Sequence, residues 1–295
     1  MDLVTYVERM PKIGETIIGK AFEQIPGGKG ANQTAAIAKL GSKVKILGCI
    51  GKDHMGDTLL EALRKDDVDV TRIVHLNGIS TGIAAITVDD TGNNCIIVTP
   101  GANYQLSPAE IQSTQQIIAD SRIIVTQLEI PLETVKYSLQ LAKEFGKTTI
   151  LNPAPAANLD HDLLCSVDLL IPNETELEFL SGQSVRNEME IIEAAQVMLK
   201  RGVKDLIVTT GEKGCIYING NGWKSFAAYR VDAVDTTAAG DSFIGAIAVG
   251  LNEGKTIEEA IPFAMATAAL TVTKKGAQSS LPCRHEVDEL LRAYT

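Results

Sequence analysis

Short apolar segments alternate along most of the chain with longer stretches in which apolar side chains recur every three or four residues. The short segments predict strands and the longer stretches predict helices. Because the strands are apolar on both faces, we expect a wound, mostly parallel sheet flanked by helices, an α/β fold. The predicted strands are 44–50, 122–128, 148–152, 169–171 and 206–210, with a hairpin over 215–226. The predicted helices are 33–40, 56–66, 108–119, 132–145, 175–180, 188–201, 240–253, 257–273 and 284–293.

Two segments interrupt this alternation. The chain opens with two predicted strands, 3–7 and 15–19, and a strand pair at 81–88 and 94–99 surrounds a predicted turn. Their separation from the strand–helix alternation predicts a small β-sheet lid, with segments near 3–20 and 80–100. We find no internal repeat or low-complexity linker, so we expect residues 1–295 to form a single domain.

The composition narrows the class of protein. The chain has 295 residues, 45% of them hydrophobic, a net charge of −10 and no run of Lys or Arg longer than two. This charge argues against a nucleic-acid or membrane partner, so any phosphate group must be held locally. Five cysteines without a C-x-x-C pair indicate reduced thiols in a cytoplasmic protein. The apolar runs are shorter than the ~20 residues that span a bilayer, and we expect no signal peptide.

The stretch DTTAAGDSFIGA, which begins at Asp235, has the composition of an anion site. Ala238, Ala239 and Gly240 directly precede an apolar helix, and backbone N–H groups at a helix start can surround a phosphate. Asp241 would repel such a ligand, so its presence needs a reason, and a general base that accepts a proton from an attacking hydroxyl would supply one. Asp241 could alternatively be a helix cap, but a cap leaves the small residues and Asp235 unexplained.

Polar residues also occur in a glycine-rich loop and at the ends of strands. The loop PGGKGAN contains the donors Lys29 and Asn32, but it matches neither a P-loop nor a dinucleotide fingerprint. Polar residues at or just after the ends of predicted strands, at the sheet edge where α/β proteins bind ligands, are Glu129, Asn152, Asn173, Glu176 and Thr209. Each could alone be a helix cap, and Asn173 with Glu176 would form a capping box. Together they predict a polar rim that Asp241 joins.

These motifs carry a resemblance. GGKGAN at 27–32, NPAPA at 152–156, PNETE at 172–176 and DTTAAGD at 235–241 occur in the order typical of the PfkB family of carbohydrate kinases. From Asp2 to the C-terminus the chain resembles this family, and within it the ribokinases. The resemblance implies a ribokinase-like fold, a lid that often pairs in a homodimer, and transfer of the γ-phosphoryl of ATP to the 5-hydroxyl of D-ribose.

The resemblance also implies roles for individual residues. Asp241 would be the base, and the N–H groups of Ala238, Ala239 and Gly240 the anion hole. The positions that match sugar-binding residues are Asp2, Gly28, Lys29, Asn32 and Glu129. Asn173 and Glu176 match the motif that organises Mg²⁺ and its waters. The nucleotide positions are Thr209, Thr210, Gly211, Glu212, Lys213, Gly214 and Gly240, with Met265 beside the adenine. The positions of a monovalent cation, usually K⁺, are Asp235, Thr237, Thr271, Lys274, Gly276 and Ser280.

One departure from the family pattern keeps other functions open. Family members begin with a buried strand that ends Asn-x-Asp, whereas this chain begins at the Met-Asp of that motif. The resemblance therefore implies that a first sheet strand and one sugar-binding Asn are absent. A gene start placed too far downstream and a protein that has lost its activity are both open explanations. The alternatives are another sugar or nucleoside kinase, a non-catalytic sugar- or nucleotide-binding protein, and, more distantly, a dehydrogenase.

Overall fold

The structure is a computed structural model that describes residues 1–294. The strands β1 to β12 are Asp2–Tyr6, Ala21–Ile25, Gly48–Gly51, Ile73–Leu76, Ile83–Val88, Asn94–Thr99, Ile123–Thr126, Thr148–Leu151, Leu169–Leu170, Asp205–Thr209, Cys215–Asn219 and Gly222–Phe226. The helices α1 to α11 are Lys29–Lys39, His54–Lys65, Pro108–Ser113, Gln115–Asp120, Leu132–Glu144, His161–Cys165, Glu174–Ser181, Glu188–Lys200, Ala239–Asn252, Ile257–Thr271 and Arg284–Ala293.

The largest sheet has six strands in the order β12-β11-β10-β9-β8-β7. Strands β7 to β10 are parallel to their neighbours, whereas β11 and β12 form the predicted antiparallel hairpin. The sheet is therefore mostly parallel, as the alternation of strands and helices predicted. The parallel pair β3 and β4 forms a separate two-stranded sheet.

Successive side chains of the six-stranded sheet enter two different cores, because neighbouring residues of a strand point to opposite faces. Ile150 packs with α9 and α10, whereas the next residue, Leu151, packs with α5 and α8. Leu169 and Leu170 divide in the same way. Helices therefore cover both faces of the parallel part of the sheet, which explains why strands β8 to β10 are largely apolar in sequence.

A separate four-stranded sheet in the order β2-β1-β5-β6 contains both segments of the predicted lid. Strand β1 pairs parallel with β5, and the other two pairings are antiparallel. The second lid strand is not at 15–19, where we expected it, but at Ala21–Ile25. Segment 15–19 forms no strand, and the Glu15 carboxylate is bound by Arg9 and by the N–H of Lys12. All but the last residue of β2 is exposed, so its apolar pattern carried no signal.

Three other predictions were wrong in detail. The predicted helix 108–119 is two helices, because the backbone leaves the helical conformation at Thr114, whose hydroxyl donates to the carbonyl of Glu110 at 3.0 Å. Strand β4 and helix α6 were not expected, since both are short. Helix α1 begins at Lys29 rather than Gln33, which places Asn32 and Gln33 inside its buried first turns.

One expectation lies outside what this structure tests. The absence of a first sheet strand concerns sequence before Met1 and stays a prediction. No helix within residues 1–294 is both long and apolar enough to cross a bilayer.

Candidate active site

Asp241 lies in the first turn of α9 and is 8% exposed. The helix starts at Ala238, whose backbone adopts the left-handed conformation with φ 60° and ψ 7°. Few residues other than glycine adopt this conformation, and it concentrates at functional sites. Asp241 does not act as the N-cap of α9, because Ala238 occupies that position. The alternative interpretation of Asp241 as a helix cap is therefore wrong.

Both carboxylate oxygens of Asp241 are held by amides of α1. Asn32 Nδ2 donates to Oδ2 at 2.9 Å, and Gln33 Nε2 donates to Oδ1 at 3.1 Å. The two helices approach closely at Gly245 of α9, where a Cβ atom would lie only 2.8 Å from that of Ala36. The small residue at this contact allows the amides of α1 to reach the carboxylate.

The charge on Asp241 is controlled by its surroundings. Burial raises its pKa above the ordinary value, because a carboxylate loses its hydration in the interior. The Lys29 ammonium and the hydrogen bonds from Asn32 and Gln33 act in the opposite direction, and Glu129 adds to the rise. The net pKa is raised. A buried carboxyl with a raised pKa and fixed donors suits a residue that accepts a proton.

Backbone donors are available beside Asp241. Among residues 1–294, the N–H groups of Ala238, Gly240 and Asp241 have no hydrogen-bond acceptor. The N–H of Ala239 instead donates to the carbonyl of Thr236 at 3.3 Å. The predicted anion hole thus retains two of its three donors, and Asp241 itself contributes another. Free N–H groups at a helix start favour an anionic ligand.

A cavity of about 230 Å³ joins these groups to the carboxyl edge of the six-stranded sheet. Lys29, Asn173, Glu176, Thr209 and the residues from Ala238 to Asp241 line it, as do Asn152, Ala154, Ile171, Thr236 and Ile244. Four of the five residues of the predicted polar rim, all except Glu129, thus line this cavity together with the start of α9.

The predicted sugar residues converge next to this cavity. Glu129 Oε2 accepts a hydrogen bond from the N–H of Lys29 at 2.9 Å. The carboxyl of Asp2 lies against the glycine-rich loop, since a Cβ atom on Gly27 would lie 2.3 Å from its Oδ2. Gly28 has a φ of 99°, which favours glycine, and it faces Glu129. Asn32 donates a hydrogen bond to Asp241, which lines the cavity. All five predicted sugar residues therefore lie around one site.

Asn173 and Glu176 form the capping box that we expected as an alternative. Asn173 Oδ1 accepts from the N–H of Glu176 at 2.8 Å, and Glu176 Oε2 accepts from that of Asn173 at 2.9 Å. Both also line the cavity, so they can cap a helix and hold a ligand. Burial raises the pKa of Glu176. Its Oε1 has no hydrogen-bond partner within residues 1–294, and such an oxygen suits a hard cation that keeps its waters.

The predicted nucleotide residues divide into two groups. Thr209 lines the cavity, and Thr210, Gly211, Glu212, Lys213 and Gly214 form the turn that follows at the end of β10. Gly214 is required there, because a Cβ atom would lie 2.0 Å from the carbonyl oxygen of Phe226. Met265 is 7% exposed in the core between α10 and the sheet, and it does not line the cavity.

Hydrogen bonds connect Asp235 with two of the other five predicted cation residues, namely Thr237 and Gly276. Asp235 Oδ1 accepts from the N–H of Thr237 at 2.9 Å, and its Oδ2 accepts from that of Gly276 at 2.9 Å. No hydrogen bond within residues 1–294 joins the side chains of Thr271, Lys274 or Ser280 to Asp235. They bond instead to Ser242, Glu286 and the carbonyl of Ala277, respectively. The monovalent cation site therefore stays a prediction. No cluster of three His, Cys, Asp or Glu ligands occurs in the described part of the chain.

Comparison with known proteins decides the family. A family model described as "pfkB family carbohydrate kinase" matches residues 1–284. The chain belongs to the PfkB family of carbohydrate kinases. This PfkB kinase is 41% identical over 290 residues to the ribokinase of Haemophilus influenzae, and the match covers 98% of this chain and 95% of the relative. It is 40% identical over 292 residues to the deoxyribokinase of Salmonella typhi, with 99% and 95% covered.

A solved structure supports the same fold. The ribokinase of Arabidopsis thaliana, complexed with ribose and ATP, matches this PfkB kinase with a TM-score of 0.94 at 35% identity. The match covers 99% of this chain and 95% of the other. The ribokinase-like α/β fold is thus confirmed.

Sequence reasoning missed two residues of the PfkB kinase site. Gln33 contacts Asp241 directly, but it had been assigned only as the start of a helix. Thr236 lines the cavity and accepts the Ala239 N–H. The available signal for Gln33 was a second amide directly after Asn32, in a helix whose following residues are mainly alanine and isoleucine.

Proposed function

We propose that this kinase transfers the γ-phosphoryl of ATP to the 5-hydroxyl of D-ribose. The observation that carries the proposal is the position of Asp241. This buried carboxylate lies at a helix start, next to free N–H groups, and it lines the cavity beside the predicted sugar residues. The similarity to ribokinases along nearly the whole chain supports ribose as the sugar.

In this reaction Asp241 accepts the proton of the 5-hydroxyl as the hydroxyl oxygen attacks the γ-phosphorus. The charge on the transferred group is stabilised by the N–H groups of Ala238, Gly240 and Asp241, since fixed donors need no reorganisation during the reaction. Lys29 lies close enough to lower the pKa of both Asp241 and Glu176. Its ammonium also adds a positive charge next to the transferred phosphoryl group. Mg²⁺, bound through water near Asn173 and Glu176, would neutralise charge on the phosphates of ATP.

The sugar residues are suited to a polyol. Asp2 and Glu129 offer carboxylate oxygens, and Asn32 and Lys29 offer donors, so neighbouring hydroxyls can each find a partner. A second candidate substrate is 2-deoxyribose, because a deoxyribokinase is as similar to this chain as the ribokinases are. A site built to bind the 2-hydroxyl would discriminate strongly against the deoxy sugar, since a buried partner would be left unpaired.

A substrate panel tests the sugar. We expect kcat/KM for D-ribose to exceed that for 2-deoxyribose, fructose and adenosine by at least about a hundredfold. A preference for 2-deoxyribose would replace the substrate but retain the mechanism. A preference for fructose or adenosine would refute a pentose kinase, and specific binding without turnover of any of them would favour the non-catalytic protein.

The variant Asp241→Asn tests the base. We expect kcat to fall by about a hundredfold or more while the Kd of ribose changes little, since a general base contributes that much to rate. The exposed Asp232→Asn is the matched control for charge. Weaker ribose binding with turnover within about tenfold would show that Asp241 is not the base.

We further propose that two copies pair through the lid. Phe22, Ile96, Ile97 and Val98 expose more than half of their surface on this one small sheet. Strand β6 also forms an unpaired edge. An exposed apolar edge strand usually has a covering partner, and a second copy of this chain is the occupant that we propose.

The monovalent cation site is proposed at the loop that leads into α9. Asp235 ties the residues before the anion hole to the segment at Gly276. A cation held by the backbone oxygens of these two segments, K⁺ in our proposal, would order the start of α9 without contacting either substrate.

A further inference from the structure

Gln33 is the strongest polar feature that the mechanism above does not use. It lies on α1 and is 2% exposed. Its Nε2 group donates to two acceptors, Asp241 Oδ1 at 3.1 Å and Asn152 Oδ1 at 3.2 Å. Asn152 follows β8 and donates its own Nδ2 to the carbonyl of Ile171 at 3.2 Å. A chain of hydrogen bonds thus runs from the sheet to Asp241.

The direction of this chain is fixed by its two ends. The carbonyl of Ile171 can only accept, so Asn152 must present its NH₂ group there and its oxygen to Gln33. Gln33 therefore presents NH₂, which is also what the ionised carboxylate of Asp241 requires. A reversed Gln33 amide would place its oxygen against two acceptors. The sheet backbone thereby sets the orientation of an amide that contacts Asp241.

We propose that Gln33 is a positioning residue for Asp241, and that Asn152 holds its amide in the orientation that donates to the carboxylate. This inference rests on the proposed role of Asp241 as the base. Asn32 holds the other oxygen at 2.9 Å, so the two amides together prevent rotation of the carboxylate. A base that cannot rotate keeps its free lone pairs directed at one place, where the attacking hydroxyl must lie.

The same contact affects the ionisation of Asp241. A hydrogen bond to a charged carboxylate stabilises the charged form, so loss of the Gln33 donor should raise the pKa of Asp241 further. The charged groups that act on Asp241 are Lys29, which lowers its pKa, and Glu129, which raises it; Glu176 also lies nearby. None of them changes when Gln33 is replaced, so the shift can be assigned to the amide.

The principal test is Gln33→Met, which retains the length of the side chain and removes the amide. We expect kcat to fall by about tenfold or more, with KM for ribose and ATP within about twofold, because a hydrogen bond to a charged group is lost. The acid limb of the kcat profile should move to higher pH. Thr34→Val is the matched control, since it removes a neighbouring buried polar group that donates only to the carbonyl of Gly30.

A double-variant cycle tests the part played by Asn152. Asn152→Ala frees the Gln33 amide without removing it, so we expect a smaller loss of kcat in the same direction. The double variant should be no slower than Gln33→Met alone, because Asn152 acts through Gln33. If the two losses multiply, Asn152 acts independently and the proposed chain is wrong.

A measurement without turnover separates this inference from the proposed function. The carboxyl ¹³C resonance of Asp241, assigned by its loss in Asp241→Asn, can be titrated in the free protein. We expect a higher pKa in both Gln33→Met and Asn152→Ala than in the wild type and in Thr34→Val. An unchanged pKa together with an unchanged kcat profile would overturn the inference. If the wild type phosphorylates no sugar, the proposed function fails, and the titration still decides whether Gln33 controls Asp241.

Discussion

The carboxyl group of Asp2 lies so close to Gly27 that no side chain could fit at position 27. A Cβ atom on Gly27 would lie 2.3 Å from Oδ2 and 2.8 Å from Cγ of Asp2. The backbone of Gly27 does not have a positive φ, so the requirement for glycine is one of space. Asp2 belongs to lid strand β1 and Gly27 to the loop before α1, so this contact joins the lid to the sugar residues.

We therefore predict that Gly27→Ala impairs sugar binding. The Asp2 carboxylate must move by about 1 Å, a displacement that can cost as much as a hundredfold when a group positions substrate. KM for ribose should rise about tenfold or more, whereas KM for ATP should change little. The thermal midpoint should fall only slightly, because the group that moves is the end of a side chain. Gly220→Ala is the control, as nothing lies within 4 Å of its Cβ position. An unchanged KM for ribose would exclude Asp2 from the sugar site.

The raised pKa of Asp241 makes a second prediction, on the pH dependence of turnover. The base must be ionised, so the acid limb of kcat should lie above the ordinary aspartate value of 3.8. Lys29→Met removes a positive charge that favours the ionised form of Asp241 and should move the limb to higher pH. Glu129→Gln removes a negative charge and should move it to lower pH. Both variants are measured at saturating ribose and ATP, and shifts of the same sign would contradict this electrostatic account.

Much of this fold was predictable, and the misplaced lid strand has a clear physical cause. Strands β8 to β10 were found because they are largely buried on both faces and are therefore largely apolar, whereas the exposed strand β12 was found only as part of a hairpin. Lid strand β2 was missed because its side chains face solvent and its position is set only by pairing with β1. Hydrophobic periodicity reports burial, so it cannot locate a strand that is held by backbone hydrogen bonds alone.

The candidate site was predicted mainly from family motifs and only partly from the chemistry of the residues. The anion hole and the polar rim could be named because small residues, amides and carboxylates stand at the ends of predicted elements, whereas the sugar residues were implied only by the resemblance to PfkB kinases. Gln33 could not be found in this way, because its role depends on Gly245 allowing α9 to approach α1. A local sequence pattern cannot predict a contact between residues that lie more than two hundred positions apart. Ala239 shows the same limit, since its N–H turns to Thr236 rather than to the cavity.

The third prediction concerns the lid. We expect the protein to be a dimer by sedimentation equilibrium, and a lysine on β6 to make it monomeric, since a charge on an edge strand blocks pairing. Ile96→Lys and Ile97→Lys point to opposite faces of the sheet, so the two variants also identify the face that pairs. Ile13→Lys, outside the sheet, is the control. A monomeric wild type, or two variants that remain dimeric, would refute pairing through the lid.

The last prediction concerns the monovalent cation. Burial alone would raise the pKa of Asp235, but hydrogen bonds from Thr237 and Gly276 outweigh it and keep the carboxyl ionised. Asp235 thus stabilises both the loop that leads to Asp241 and the segment at Gly276. We predict that exchange of K⁺ for Na⁺, at constant chloride and ionic strength, lowers kcat with little change in either KM. A cation that orders backbone donors acts on the rate, since misplacing such a group by ~1 Å can cost about a hundredfold.

Asp235→Ala should abolish the difference between the two salts and lower kcat in both. Asp232→Ala removes the same charge three residues earlier on an exposed side chain, so it should retain the wild-type salt difference. Screening is equal in every arm, because the ionic strength is held constant. Equal rates of the wild type in K⁺ and Na⁺ would argue against a specific site. A salt difference that survives Asp235→Ala would place the cation elsewhere, because the two segments that Asp235 joins would no longer be held together.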